Sequence, residues 1–197
     1  MSNILMQRRR ALIGVKKDGP PSGTIIHRYD FTQSLNDLVG SSDATLAANY
    51  TSIDSDGGLV SGNQGGINFS PTLTIPNNVR IDIIFGQTTK NFSYNGWLLT
   101  LERTGGRDLI GFNSSGNWVY SSGSYSGNIP GNGNEFSNAR MSIIIRADKS
   151  ITVFKNNELF MQGTRGTYAP TSVSIGNSRN NESYYNMLIK QFIVYAL

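Results

Sequence analysis

The 197 residues suffice for one sizeable β domain, and a hydrophobic content of 38% with 22 glycines favours many short strands joined by many turns. With no cysteine in the chain, a disulfide framework and a thiolate metal site are both excluded, so stability must come from burial and assembly. A formal net charge of +4 raises nucleic acid as a partner, but the excess is gathered at one end of the chain instead of lining a face, which argues against it.

Residues 1–17, MSNILMQRRRALIGVKK, carry Arg8, Arg9, Arg10, Lys16 and Lys17 and no acid, leaving 12 basic residues against all 13 acidic ones in the remainder. Asp18-Gly19-Pro20-Pro21-Ser22-Gly23 closes this stretch, and such a cluster reads as a linker. The chain is therefore expected to divide into a basic N-terminal arm and linker over residues 1–23 and a body over residues 24–197. Ile4, Leu5, Met6, Leu12, Ile13 and Val15 accompany the arginines, and a purely solvated tail has no need of them. The arm reads as an anchor: Arg8, Arg9 and Arg10 would pair with carboxylates of a neighbour while Leu12 and Ile13 fill small pockets. The apolar run at residues 11–15 is too short for a secretory leader core or a span, and no other stretch approaches about 18 apolar residues, so the expectation is a protein without membrane contact or cleaved leader.

The first predicted strand is Ile25-Ile26-His27-Arg28-Tyr29-Asp30-Phe31, with Ile25, His27, Tyr29 and Phe31 on one side. Residues 32–49 are polar, with isolated Leu35, Leu38 and Leu46, and predict a long surface loop or a short helical turn around residues 34–39. Small edge or cover strands follow, split by Asp56-Gly57-Gly58, Gly62-Asn63 and Gly65-Gly66. The clearest strand is next: Val79, Ile81, Ile83 and Phe85 alternate with Arg80, Asp82 and Ile84, giving one apolar and one mostly polar face. Trp97, Leu99 and Leu101 share a predicted face, Gly105-Gly106 turns the chain into Leu109-Ile110-Gly111-Phe112, and a further turn leads to Trp118-Val119-Tyr120. A Gly, Ser and Asn-rich run over residues 121–134 then separates this meander from a second one, Met141 to Arg146, Ile151 to Lys155 and Glu158 to Met161. Ser172-Val173-Ser174-Ile175-Gly176 and a last strand within residues 187–195 close the chain. No segment has sustained helical periodicity, and strands of this kind at short spacing imply an all-β fold of two antiparallel sheets packed face to face, a jelly-roll sandwich.

His27-Arg28-Tyr29-Asp30-Phe31, the strand from Val79 to Phe85, the strand from Met141 to Arg146, the hairpin Ile151-Thr152-Val153-Phe154-Lys155-Asn156-Asn157-Glu158-Leu159 and the strand from Ile189 to Tyr195 occur in that order. Together they resemble the concanavalin A-like or laminin G-like jelly roll over residues 24–197. The hairpin departs from the usual pattern in having Asn157 where the family has glycine, and the tryptophan that often precedes the Met141 strand is missing. The arm, with its Met-rich start and Arg-Arg-Arg-Ala-Leu-Ile-Gly stretch, resembles the N-terminal segment of some phage and prophage structural proteins that carry such jelly rolls. One fold of this kind hosts lectins, glycosidases, lyases and structural modules, so function must be sought in a site.

Glycoside hydrolases of the fold need clustered carboxylates, whereas Glu102, Glu135, Glu158 and Glu182 lie in separate segments without a Glu-x-Asp-x-Glu pattern. The single histidine, His27, lacks the nearby glutamine a lyase would want and suits a structural role at a strand edge. There is no nucleophile elbow for a Ser-His-Asp triad, and transition-metal sites fail on ligand count. No catalytic residue or cofactor is therefore expected. Asp54 and Asp56 beside Gly57-Gly58 are a weak candidate for binding Ca2+ together with backbone carbonyls, as some laminin G-like domains do, but an Asp-Gly turn forms without metal, and that is the expected reading. Carbohydrate binding is the more credible activity, because sugar rings stack on exposed aromatic faces while polar groups take the hydroxyls. The candidates are Trp118, Tyr120, Tyr125, Tyr184 and Tyr185, which mark a protein interface as readily as a glycan site. Trp97 is expected in the core with Leu99 and Leu101.

The leading expectation is a non-enzymatic virion component made in a bacterial host's cytoplasm: a jelly roll anchored to neighbouring virion proteins by its arm, open to homo-oligomerisation and displayed for attachment or decoration. The alternative is a lectin module recognising bacterial surface glycan.

Overall fold

A computed structural model describes residues 19–46, 51–60, 66–90, 96–112, 118–120, 124–125, 137–176 and 185–197. Described strands are β1 (Thr24–Asp30), β2 (Asp43–Leu46), β3 (Thr51–Asp54), β4 (Gly57–Val60), β5 (Gly66–Ser70), β6 (Val79–Lys90), β7 (Gly96–Arg103) and β8 (Gly106–Phe112). They continue with β9 (Trp118–Tyr120), β10 (Ser124–Tyr125), β11 (Arg140–Ile145), β12 (Ser150–Lys155), β13 (Glu158–Thr164), β14 (Pro170–Gly176) and β15 (Tyr185–Ala196). They form two antiparallel sheets, one of nine strands in the order β10-β13-β12-β11-β6-β15-β4-β3 with β1 also on β15, and one of six in the order β2-β5-β14-β7-β8-β9. The expected all-β sandwich is what the chain forms, and no described residue is helical. Residues 32–46 form the expected loop, except that β2 emerges from it to pair with β5.

The alternation in β6 does what period-two patterning requires: Val79, Ile81, Ile83 and Phe85 point between the sheets and are buried. Leu99 and Leu101 of β7, Ile143 of β11 and Val173 of β14 meet them in one core cluster. Within it, Tyr29 and Phe69 meet at a tilt and Phe69 and Phe192 stack, with ring centroids 4.9 Å and 5.6 Å apart, within the range aromatic pairs favour. Asn156 and Asn157, with φ of 51° and 68°, make the β12–β13 turn, and asparagine tolerates this left-handed backbone where the resembling family uses glycine.

Two bulges reverse facings that simple alternation predicts. In β1 the register slips between Ile25 and His27, so Ile25 lies opposite Tyr195 and is exposed, whereas Tyr29 and Phe31 are fully buried. In β7 it slips between Trp97 and Leu99: Trp97 pairs with Gly111, Leu99 with Ile110. Both Leu98 and Leu99 consequently enter the core cluster, and Trp97 does not. The expectation that Trp97 shares the core face is thus corrected, because the extra residue of a bulge shifts every side chain before it to the opposite side.

Residues 19–23 are fastened to the sandwich. Arg80 on the outward face of β6 donates from Nη1 to the Pro21 carbonyl at 2.7 Å, and the backbone approaches Asn157 at Gly19 and the Tyr195–Ala196 edge at Gly23. Residues 19–23 therefore strap the nine-stranded sheet from outside. Beneath the strap, Arg80 binds Asp82 through Nε at 2.8 Å and Nη2 at 2.6 Å and lies 4.3 Å over the Tyr195 ring. Arg140 Nη2 donates to the same carboxylate. Burial raises the Asp82 pKa, but the side chains of Arg80, Ser142 and Arg140 around it outweigh burial and hold the carboxyl below its usual range.

Candidate functional site

The outward face of the six-stranded sheet carries the strongest candidate. Alternation turns Thr100 and Glu102 of β7, Arg107 and Leu109 of β8, Ser172 and Ser174 of β14 and Asn68 of β5 away from the core. Register aligns them: Ser174 lies opposite Thr100, which lies opposite Leu109, and one step along, Ser172 lies opposite Glu102, which lies opposite Arg107. Asn68, Thr72, Glu102, Arg107, Ser172 and Ser174 line a cleft of about 260 Å³ there. It opens where β5 ends and the following chain, joined to β14 through Thr74–Ser172, takes over its place beside β14.

Arg107 Nη1 is shut off from solvent and has no hydrogen-bond partner. Glu102, its cross-strand neighbour, is not ion-paired to it, and the described ion pairs lie elsewhere. A guanidinium N–H held dry and unpaired is costly to bury. Trp97 stands on the same outward side. It is only 7% exposed, and its Nε1 is likewise buried without a partner, so it contributes a covered indole and not an open stacking platform. The sequence signal that could have found this site was the polar alternation of Thr100, Glu102, Arg107, Ser172 and Ser174, which is indistinguishable from an ordinary wet sheet face until register gathers it.

The expected aromatic candidates divide between the sheets. Trp118 and Tyr120 belong to β9, paired to β8 at Phe112 and Ile110. Tyr125 belongs to β10, paired to β13, and Tyr185 to β15, paired to β6. β9 and β10, each at the edge of its own sheet, approach one another. The side chains of these four, Tyr184, and Arg8, Arg9, Arg10, Leu12 and Ile13 of the arm lie outside the described residues.

The calcium expectation gains nothing. Asp54 Oδ1 accepts the Asp56 backbone N–H at 2.8 Å, closing its own turn, and no group of three His, Cys, Asp or Glu able to hold a metal occurs among the described residues. Asp54 lines a second, more open cleft of about 440 Å³ with Gln33, Ser34, Leu35 and Ile53, which contains no orphaned polar group among those described.

His27 proves structural in the sense expected. Its Nδ1 meets Asp37 Oδ2 at 2.6 Å, and Asp37 also accepts backbone N–H groups of Arg28 at 3.1 Å, Gly40 at 2.9 Å and Ser42 at 3.3 Å. This carboxylate clasps the loop after β1. No serine or threonine hydroxyl is hydrogen-bonded to His27 among the described residues, so the pair has the orienting half of a triad without its nucleophile. Of the glutamates, Glu102 lies in the six-stranded sheet and Glu158 in the nine-stranded one, and two carboxyls so divided cannot flank one glycosidic bond.

No protein-family model matches the chain, and no curated protein matches it by sequence. Solved structures do match its fold. Domain 4 of AbnA, a GH43 extracellular arabinanase from Geobacillus stearothermophilus determined with arabinotriose, superposes with a TM-score of 0.57 and 14% identity over 89% of this chain and 93% of that one. Trypanosoma rangeli sialidase, in complex with a difluoro-KDN, gives 0.62 and 13% over 96% of this chain, and the chain spans 35% of the sialidase. The botulinum neurotoxin serotype G binding domain gives 0.58 and 11% over 87% of this chain and 47% of its own. At such identities the likeness establishes the β-sandwich fold. None of these three is a phage protein, so the virion reading continues to rest on the arm's sequence.

Proposed function

We propose that the chain is a non-catalytic β-sandwich module that binds glycan through the outward face of its six-stranded sheet. The observation that carries this is the cleft lined by Arg107, Glu102, Ser172, Ser174 and Asn68, a guanidinium, a carboxyl, two hydroxyls and an amide on one sheet face, the kind of polar set that orients a ligand in small-molecule sites. Support comes also from an arabinanase domain of the same fold determined with arabinotriose. The module's reading as an accessory part of a larger protein is favoured by the 35% of the sialidase that it spans. The test is a glycan array followed by calorimetry with arabinotriose and a panel of neutral and acidic oligosaccharides. Binding is expected for the wild type and loss of at least about tenfold for Arg107→Ala, the usual cost of deleting a charge-assisted hydrogen bond. A wild-type protein that binds no member of the array ends the proposal.

A second reading concerns the arm and has its own observation. Because the strap over residues 19–23 is pinned by Arg80, whatever grips Arg8, Arg9, Arg10, Leu12 and Ile13 would hold the whole sandwich and not a loosely trailing domain. We propose that the arm anchors the module to a larger assembly with an acidic docking surface, of which a phage particle is one example. Removing residues 1–17 should abolish incorporation into that assembly while leaving glycan affinity unchanged. Unaltered incorporation would refute the anchoring role.

A further inference from the structure

The cleft also indicates which kind of glycan it takes, an inference that rests on the glycan-binding reading above. Glu102 and Arg107 are directly opposed across β7 and β8, which places their Cβ atoms about 5 Å apart, yet no ion pair joins them among those described. They share one cavity of about 260 Å³ with Asn68, Ser172 and Ser174, slightly below the range of pockets for drug-sized ligands, about 300–1,000 Å³, and so suited to a single sugar ring rather than a long chain laid along the sheet.

A charged sugar cannot use both ends of this pair. A uronate drawn to Arg107 is repelled by Glu102 at nearly the same distance, and an amino sugar meets the reverse, so in either case attraction and repulsion largely cancel. A hydroxyl group suffers neither conflict, because it donates and accepts. Two hydroxyls on adjacent carbons of one ring can divide the work: one donates to the Glu102 carboxylate, and its neighbour accepts from the Arg107 guanidinium, both residues lining the cleft. Ser172 and Ser174 stand on the same outward side for the remaining oxygens. From this geometry we infer that the cleft selects a neutral sugar presenting vicinal hydroxyls, with Glu102 as acceptor and Arg107 as donor to one ring.

Calorimetry on the full chain with arabinotriose and cellotriose as neutral probes, trigalacturonic acid as the acidic one and chitosan trimer as the cationic one decides this. A neutral trisaccharide should bind about tenfold or more tightly than either charged one. Glu102→Gln and Arg107→Gln should each weaken neutral binding about tenfold or more, and the double variant should lose less than the product of the two, because both side chains hold the same ring. Unchanged melting midpoints exclude misfolding, and Arg107→Lys, which keeps the charge but not the fork, serves if Arg107→Gln fails to fold. Tighter binding of trigalacturonic acid, or Glu102→Gln leaving neutral affinity within about twofold, overturns the assignment while leaving glycan binding intact. Silence of the wild type toward every saccharide instead removes the underlying reading.

Discussion

Asp37 shows how much one carboxylate can organise. Burial pushes its pKa up, but hydrogen bonds from His27 and from the backbone N–H groups of Gly40, Arg28 and Val39 outweigh burial and bring it to about 2. Since the unfolded carboxyl keeps an ordinary value near 3.8, the stabilisation is complete above that pH and disappears as pH falls through about 2. Urea unfolding at stepped pH should therefore show stability declining between about pH 4 and pH 2, a decline diminished in Asp37→Asn; parallel profiles for the two proteins would remove Asp37 from this role. The same clasp makes Gly40 irreplaceable. A Cβ there would sit 2.5 Å from His27 Nδ1, so Gly40→Ala should cost on the order of 1–3 kcal/mol in the same assay, and an unchanged urea midpoint would contradict the tight fit. Sequence reading assigned His27 a structural part, but its partner ten residues away in a polar loop carried no signal of its own.

At the scale of strands, sequence reading succeeds wherever pairing is regular. β6, β11 and β12 are legible because apolar side chains recur every second residue on the face turned to the core; that Arg80, Asp82, Ser142 and Ile144 of the other face are buried too was not. It fails at bulges, because one inserted residue reverses the facing without altering composition. Trp97 before Leu99 looks like continued alternation and is not. The cleft was illegible for a related reason: its members come from β5, β7, β8 and β14, and only the register places Ser172, Glu102 and Arg107 in one row. Turns tell more. Lys149, in the β11–β12 hairpin, has φ of 74°, a conformation that costs a residue with a Cβ roughly 1 kcal/mol or more. Lys149→Gly relieves that cost while adding freedom to the unfolded chain. Relief should win, raising stability by up to about 1 kcal/mol, read as a higher urea midpoint with an unchanged slope. A lower midpoint would mean that the Lys149 side chain contributes more than its backbone strains.

For the molecule as a whole, the two sheets present opposite outer faces with different features. The nine-stranded sheet bears the strap and its Arg80–Asp82–Arg140 network, and the six-stranded sheet bears the cleft. A module gripped through its arm would then turn the cleft away from its support, the orientation that a displayed binding domain needs. The strap's part in this can be measured without any partner. Arg80 is 7% exposed and Asp82 wholly buried with the strap in place, so removing Pro21 uncovers the guanidinium and exchanges its charge-assisted hydrogen bond to the carbonyl for one to water. Such an exchange costs about 1–3 kcal/mol, and each kcal/mol corresponds to roughly 2–4 °C of melting temperature for a chain of this size. Two truncations isolate the effect: one starting at Gly19, which keeps the strap, and one starting at Gly23, which lacks it. The shorter protein should melt lower by several degrees, and its Arg80 variant, Arg80→Met, should show no further drop on losing residues 19–22. Equal melting of the two truncations would mean that the strap lies on the sheet without holding it, and that the arm's grip cannot fix the direction in which the cleft points.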